Sequence, residues 1–143
     1  MGRLRLPRGV CLACNAVLDR RVKRYCNVAC QTDHQYRVYI EAWFEGRVSG
    51  AKTWATVSGH VRRYLHEKYT RCVGCGWAER HPVTGRIPLH IDHIDGDWRN
   101  NRPENLRLLC PNCHALTLTY GALNRGRGRP FHMIKTPYDE AAR

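Results

Sequence analysis

The 143-residue sequence contains no uninterrupted run of 18 apolar residues, so no segment of it reads as a membrane span. Its opening, MGRLRLPRGVCLAC, carries charge but no apolar stretch of the kind a secretory leader needs, which points to an intracellular, cytoplasmic setting. A clear basic amphipathic helix or lipid anchor is also missing, which removes the usual means of holding an anionic membrane. There is no dimerisation signature, so a monomer suffices and the oligomeric state stays open. Acidic residues are scarce. Against 24 Lys and Arg there are 12 Asp and Glu, leaving a net charge of +12. Such an excess on a small chain favours a polyanionic partner, most often nucleic acid, although it shows affinity for phosphate rather than chemistry.

Cysteine, by contrast, is plentiful. The eight cysteines fall into four close pairs, CLAC, CNVAC, CVGC and CPNC. Two cysteines on one tight turn can aim both sulfurs at a single tetrahedral metal, and without a leader zinc is a better reading than a disulfide framework. Pairing neighbours along the chain gives Cys11, Cys14, Cys26 and Cys30 for one structural Zn²⁺, and Cys72, Cys75, Cys110 and Cys113 for a second. No cysteine is left over.

The segment from Cys11 to Phe44 reads as a knuckle, a β-hairpin, a second ligand pair and a helix. Val17, Leu18, Val22 and Tyr25 are placed on one side of the hairpin. From Cys30 onward Tyr36, Tyr39, Ile40, Trp43 and Phe44 recur at helical spacing, and Gly46 ends the helix. A hairpin followed by a helix, with a ligand pair at each start, resembles a treble-clef zinc finger. So small a unit depends on its metal for most of its folding free energy. After a Gly/Ser-containing connector, Ser58 caps a helix whose apolar face is Val61, Tyr64, Leu65 and Tyr69. Its Arg62, Arg63 and Lys68 read as a solvated face more than as a dedicated DNA reader, though such a face can also touch backbone phosphates. The tail is basic; Arg125, Arg127 and Arg129 suit phosphate contact in a groove, and the segment reads equally well as a solvated tail.

The densest polar stretch is LHIDHIDGDWRNNRPENLRLLCPNCHALT, residues 89–117. A strand is expected over Ile87 to Ile94, then a loop over the turn-forming DGDWRNNRPEN, a second strand over Leu106 to Leu109, and a helix through PNCHALTLT with Pro111 in its first turn. Cys110 and Cys113 fasten the strand-to-helix junction to Cys72 and Cys75. That order can bring Asp92 and His93 close to His114.

The Asp92–His93 pair, the central Asn105 of ENLRLLC and the His114 of CPNCH together resemble the HNH endonuclease family and its ββα-metal motif. The resemblance runs from Cys72 to about Asn124, and the wider chain looks like the small HNH proteins of phages and mobile elements. The expected fold is thus a small, zinc-stabilised α+β chain. It comprises a treble-clef-like four-cysteine zinc finger over residues 1–46, a connector and helix over 47–70, an HNH domain over 71–124 and a basic tail over 125–143.

By that resemblance the chain is a metal-dependent endonuclease acting on DNA, most naturally double-stranded. His93 is the general base, and Asp92 and His114 hold one catalytic divalent ion: magnesium, manganese or another transition metal. Asn105 hydrogen-bonds across the loop and helps orient His93. The implied products are 5′-phosphate and 3′-hydroxyl ends. Asp92 and His93 are adjacent on an extended strand, so their side chains diverge unless the strand bends.

The alternatives are plainer. His93 can be read as a satisfied strand histidine, His114 as a zinc ligand, Asn105 as a turn cap, and Asp95 and Asp97 as loop residues. His90 shares a face with Asp92 but is given no catalytic role. The segment AERHPVTGR, with Glu79 and His81, is an insertion-like hairpin placed to shape substrate access. A non-catalytic zinc-finger nucleic-acid-binding protein competes with the nuclease, and a protein-contacting scaffold is the third reading. Basic residues Arg20, Arg21, Lys23 and Arg24 suggest that the first finger adds DNA grip.

Overall fold

Each α-helix among the described residues begins on a side chain that caps it. Asn27 accepts from the Cys30 amide at 2.9 Å and opens α1 (Val28–Phe44). Ser58 accepts from the Val61 amide at 3.1 Å and opens α2 (Gly59–Lys68). The Cys110 sulfur accepts from the Cys113 amide at 3.4 Å and opens α3 (Pro111–Ala115), where Pro111 fills a first-turn position that has no use for an amide hydrogen. The computed structural model describes residues 9–19, 24–53 and 56–124. Val22, Arg20, Arg21, Lys23, Arg125, Arg127 and Arg129 therefore lie outside the described residues.

Among the described residues, two small antiparallel sheets accompany the helices. The first pairs β1 (Ala51–Thr53) with β2 (Thr56–Val57). The second pairs β3 (His90–His93) with β4 (Leu106–Leu109), in the register His90–Leu109, Ile91–Leu108, Asp92–Arg107 and His93–Leu106. A single-turn 3₁₀ segment, Pro103–Asn105, leads into β4. No helix among the described residues is long and apolar enough to cross a membrane.

Some boundaries differ from those expected. α1 starts two residues before Cys30, because Asn27 is the better cap. β3 is half the length of the Ile87–Ile94 strand: Pro88 has no amide to give a ladder, and the Leu89 amide turns back to the Ile87 carbonyl at 2.9 Å. α3 stops at Ala115 instead of running to Thr119. Leu116 and Leu118 are 83% and 89% exposed, so no apolar contact extends that helix. In the first knuckle Val17 faces solvent while Leu18 is buried.

One continuous core joins these parts. Trp43 from α1, Val61 and Leu65 from α2, and Leu106, Leu108 and Leu109 from β4 share it with Leu89, Cys72 and Cys110. Each of the valines and leucines contributes about 1.5–3 kcal/mol when fully buried. Gly50 shows how tightly Trp43 is held. Its φ is +76°, and a Cβ there would lie 2.6 Å from the indole nitrogen and 2.9 Å from the Asn101 carbonyl oxygen.

Candidate active site

The β3–β4 pairing sets the site. Asp92 lies opposite Arg107 in the ladder, and Arg107 Nε donates to Asp92 Oδ2 at 2.7 Å. The carboxylate is buried, so without that guanidinium its charge would be costly to hold there. Its second oxygen, Oδ1, faces His114 Nε2 at 3.7 Å. The two side chains thus leave one carboxylate oxygen and one imidazole nitrogen across a gap that a divalent ion with bonds of about 2.1 Å can span.

His114 is carried on α3, one residue after Cys113. Its ring stands edge-on between His90 and Tyr120, each with its centroid 5.3 Å away. His114 Nδ1 lies 3.4 Å from His90 Nδ1, so the ring turns Nδ1 toward His90 and Nε2 toward Asp92. Burial pushes the His114 pKa below its ordinary value; Asp92 opposes that shift, while His90 and Arg107 add to it. The imidazole is therefore neutral at pH 7, as a metal ligand must be.

His93 closes β3, and its Nε2 lies 2.9 Å from Asn101 Oδ1. An amide oxygen only accepts, so Nε2 carries the proton and Nδ1 keeps the lone pair. Asp92, His93 and His114 all border one cleft of about 400 Å³, together with Ile91, Gly96 and Trp98. Although adjacent on a strand, Asp92 and His93 reach the same space because β3 ends at His93 and the chain turns there. The Gly96 amide bonds back to the His93 carbonyl at 2.9 Å. Gly96 adopts φ +76°, and a Cβ there would lie 2.6 Å from Asn124 Oδ1 and 2.8 Å from Thr119 Cγ2, so no other residue fits without displacing that wall.

Asn105 is buried, and its side chain bonds to the loop. Its Nδ2 donates to Asp95 Oδ1 and to the Asn100 carbonyl, each at 2.8 Å, and its Oδ1 accepts from the Asp95 amide at 3.0 Å. It locks the loop over 95–100; the side chain that reaches His93 is Asn101. Asp95 is a loop residue, accepting also from Asn100 Nδ2 and the Asp97 amide. Burial tends to raise its pKa, but these hydrogen bonds and His93 together hold it below the ordinary carboxylate value.

Residues 82–116 match a family described as HNH endonuclease. This stretch belongs to the HNH endonuclease family. The H-N-H endonuclease F-TflIV of Escherichia phage T5 is 47% identical over 103 residues, 68% of this chain and 40% of that protein. The chain thus spans about two fifths of the length of that relative. No solved structure matches it.

Beside the HNH stretch the cysteines gather into the two expected quartets, Cys11/Cys14/Cys26/Cys30 and Cys72/Cys75/Cys110/Cys113. Within them Cys14–Cys26, Cys14–Cys30 and Cys75–Cys110 have sulfurs 3.6, 3.9 and 3.8 Å apart. Disulfide sulfurs are about 2.05 Å apart, whereas a tetrahedral zinc with bonds of about 2.3 Å sets its thiolates about 3.8 Å apart. Burial raises the Cys11 and Cys72 thiols, yet hydrogen bonds from neighbouring backbone amides outweigh it and hold both at about 6. Sharing hydrogen bonds with other cysteines of the quartet pushes Cys26 and Cys113 up to about 12. Four thiols cannot all ionise side by side without a cation, and both quartets have the composition and spacing of structural zinc sites.

Three contributors escaped the reading of the sequence. Arg107 is the one charge in LRLL, and its role follows only from the register opposite Asp92. Asn101 was visible as half of an Asn-Asn pair. His90 was seen to share the face of Asp92, but its contact with His114 depends on where α3 docks.

Proposed function

We propose that the chain is a one-metal endonuclease that hydrolyses phosphodiester bonds of double-stranded DNA. The observation that carries this reading is the convergence of Asp92, His93 and His114 on one cleft, with Asp92 Oδ1 and His114 Nε2 facing each other at 3.7 Å. Asp92 Oδ1 and His114 Nε2 are the donors that would hold the divalent ion; oxygen and imidazole together suit magnesium, manganese or a later transition metal. Such an ion supplies Lewis-acid stabilisation of charge on the phosphate and the leaving 3′ oxygen.

His93 takes a proton from the attacking water at Nδ1, while Asn101 fixes its ring through Nε2. Arg107 holds Asp92 ionised and aimed. Asn105 acts through the loop, keeping Asp95 and Asn100 in place so that Asn101 meets His93. The products on this reading carry 5′-phosphate and 3′-hydroxyl ends. The β3–loop–β4–α3 order supports a ββα-metal unit, and the first cysteine quartet followed by α1 supports a treble-clef finger that adds grip on DNA.

The test is conversion of supercoiled plasmid by the zinc-loaded protein with magnesium, with manganese or with neither, followed by analysis of the new ends. Metal-dependent relaxation leaving 5′-phosphates supports the reading. Tight DNA binding without relaxation under any metal would replace it with a non-catalytic nucleic-acid binder.

A further inference from the structure

A second concave surface lies away from the HNH cleft, between α2 and the hairpin over residues 80–87. It is a groove of about 550 Å³ bordered by Arg62, Arg63 and His66 from α2 and by Arg80 and Arg86 from the hairpin. No carboxylate is among the residues that border it. Arg63 is already engaged by Glu67 at 2.7 Å and approaches Asp33 at 4.0 Å. Arg80 donates to the Gly85 carbonyl at 2.8 Å and so shapes the hairpin. Arg62 and Arg86 are different: among the described residues neither side chain has an ion pair or a hydrogen bond, and both are exposed.

Both unpaired guanidiniums act on one point. His66 is held below its ordinary pKa by burial first, and then by the charges of Arg62 and Arg86. Two cations gathered from separate elements, with no acid between them, repel each other unless an anion joins them. In sequence Arg62 belongs to a solvated helix face within reach of backbone phosphates and Arg86 to the insertion-like hairpin; only the packing of the hairpin against α2 brings them together.

We infer that this groove binds the phosphodiester backbone of the DNA substrate, with Arg62 and Arg86 as the phosphate contacts. The inference rests on the nuclease reading above and adds where the duplex lies. Leu89 borders the groove and Asp92 borders the HNH cleft. They are three residues apart along an extended chain, about 10 Å at ~3.3 Å per residue. That is about three base-pair steps of a duplex at ~3.4 Å each, so the groove and the cleft border chain positions separated by the scale of a few base pairs.

The experiment compares the full zinc-loaded chain with the double variant Arg62→Gln/Arg86→Gln, and with Arg47→Gln, which removes an exposed arginine paired to Glu45. Affinity for a labelled duplex is measured by anisotropy across a salt series without added magnesium or manganese, and thermal melting checks that all three are folded. Each lost phosphate contact lowers the slope of log K against log salt by about 0.9, so the double variant should show a slope shallower by about 2, with Arg47→Gln unchanged. A double variant with the wild-type slope and affinity, while the wild type binds and nicks DNA, overturns the inference alone. Wild type that binds with the expected slope difference but never nicks keeps the groove and overturns the nuclease chemistry. Wild type that does not bind DNA overturns both.

Discussion

Trp43 donates its indole N–H to the backbone carbonyl of Asn101 across 2.7 Å, in a buried bond between residues 58 apart in the sequence. The same Asn101 holds His93 through its side chain at 2.9 Å. Helix α1 is thereby connected to the proposed base through a single residue. Replacing Trp43 by Phe keeps most of the ring but strands a buried carbonyl, at a cost of about 1–3 kcal/mol. Urea denaturation of the zinc-loaded protein should show that loss, and plasmid nicking should slow with it.

Asn101→Ala removes the acceptor that fixes the His93 ring. A general base contributes about 10²–10⁴ in rate, and losing its orientation should remove a part of that, about 10- to 100-fold in kcat. Because Asn101 does not touch the metal donors, manganese affinity measured by calorimetry should stay as in wild type, and KM should move less than kcat. A variant whose manganese affinity falls along with kcat would instead make Asn101 a general support of the cleft.

Arg107→Gln leaves the buried Asp92 carboxylate without its ion pair. With Arg107 itself partly exposed, the cost lies between that of surface and buried pairs, about 1–3 kcal/mol. A divalent ion at Asp92 would replace some of the missing positive charge. The melting temperature of the variant should therefore rise more on adding manganese than that of wild type does.

His114 has its pKa lowered by burial, so the folded chain keeps it neutral below the ordinary value of 6.5. The sign follows: the unfolded chain binds this proton first, so the stability tied to a neutral His114 is present above about pH 6.5 and is lost as pH falls below it. Manganese binding by the folded chain follows the lowered pKa of His114, so it should persist below pH 6.5 and fall only on further acidification, with metal-dependent nicking falling alongside it. His90→Phe, which removes the partner of Nδ1, should weaken manganese binding by about tenfold or more.

Zinc removal tests the two quartets. A structural zinc is worth about 10–16 kcal/mol against a total stability of about 5–15 kcal/mol for a domain. Stripping zinc with a chelator should therefore abolish the cooperative melt. Metal analysis of the intact protein should return two zinc ions per chain, one for each quartet. Cys72→Ser, in the quartet that fastens β4 to α3, should return one and lose nicking.

What could be read from the sequence was what is local. Cysteines three or four positions apart announce a shared metal, alternation around Asp92 marks a strand, and Pro111 beside Cys110 marks a helix start. Those features placed the Asp92, His93 and His114 side chains on neighbouring elements before any coordinates. The supports of the site were hidden because each depends on distant packing. Trp43 reads as the apolar face of its own helix, and nothing in its spacing points to a loop 58 residues on. Arg107 becomes a partner of Asp92 only once the register is set, and a one-residue slip would turn it to the other face. That Asn105 bonds to the Asp95 carboxylate and the Asn100 carbonyl likewise depends on how the loop folds back on itself.

The central claim is that His93 is the base of a metal-dependent nuclease. Its most direct test is single-turnover nicking by His93→Ala beside wild type, with zinc content and manganese affinity measured on the same samples. The account predicts two zincs and unchanged manganese binding in the variant, with the nicking rate down by at least about 100-fold, the lower end of what a general base supplies. Equal rates for the two proteins would contradict it and remove His93 from the chemistry.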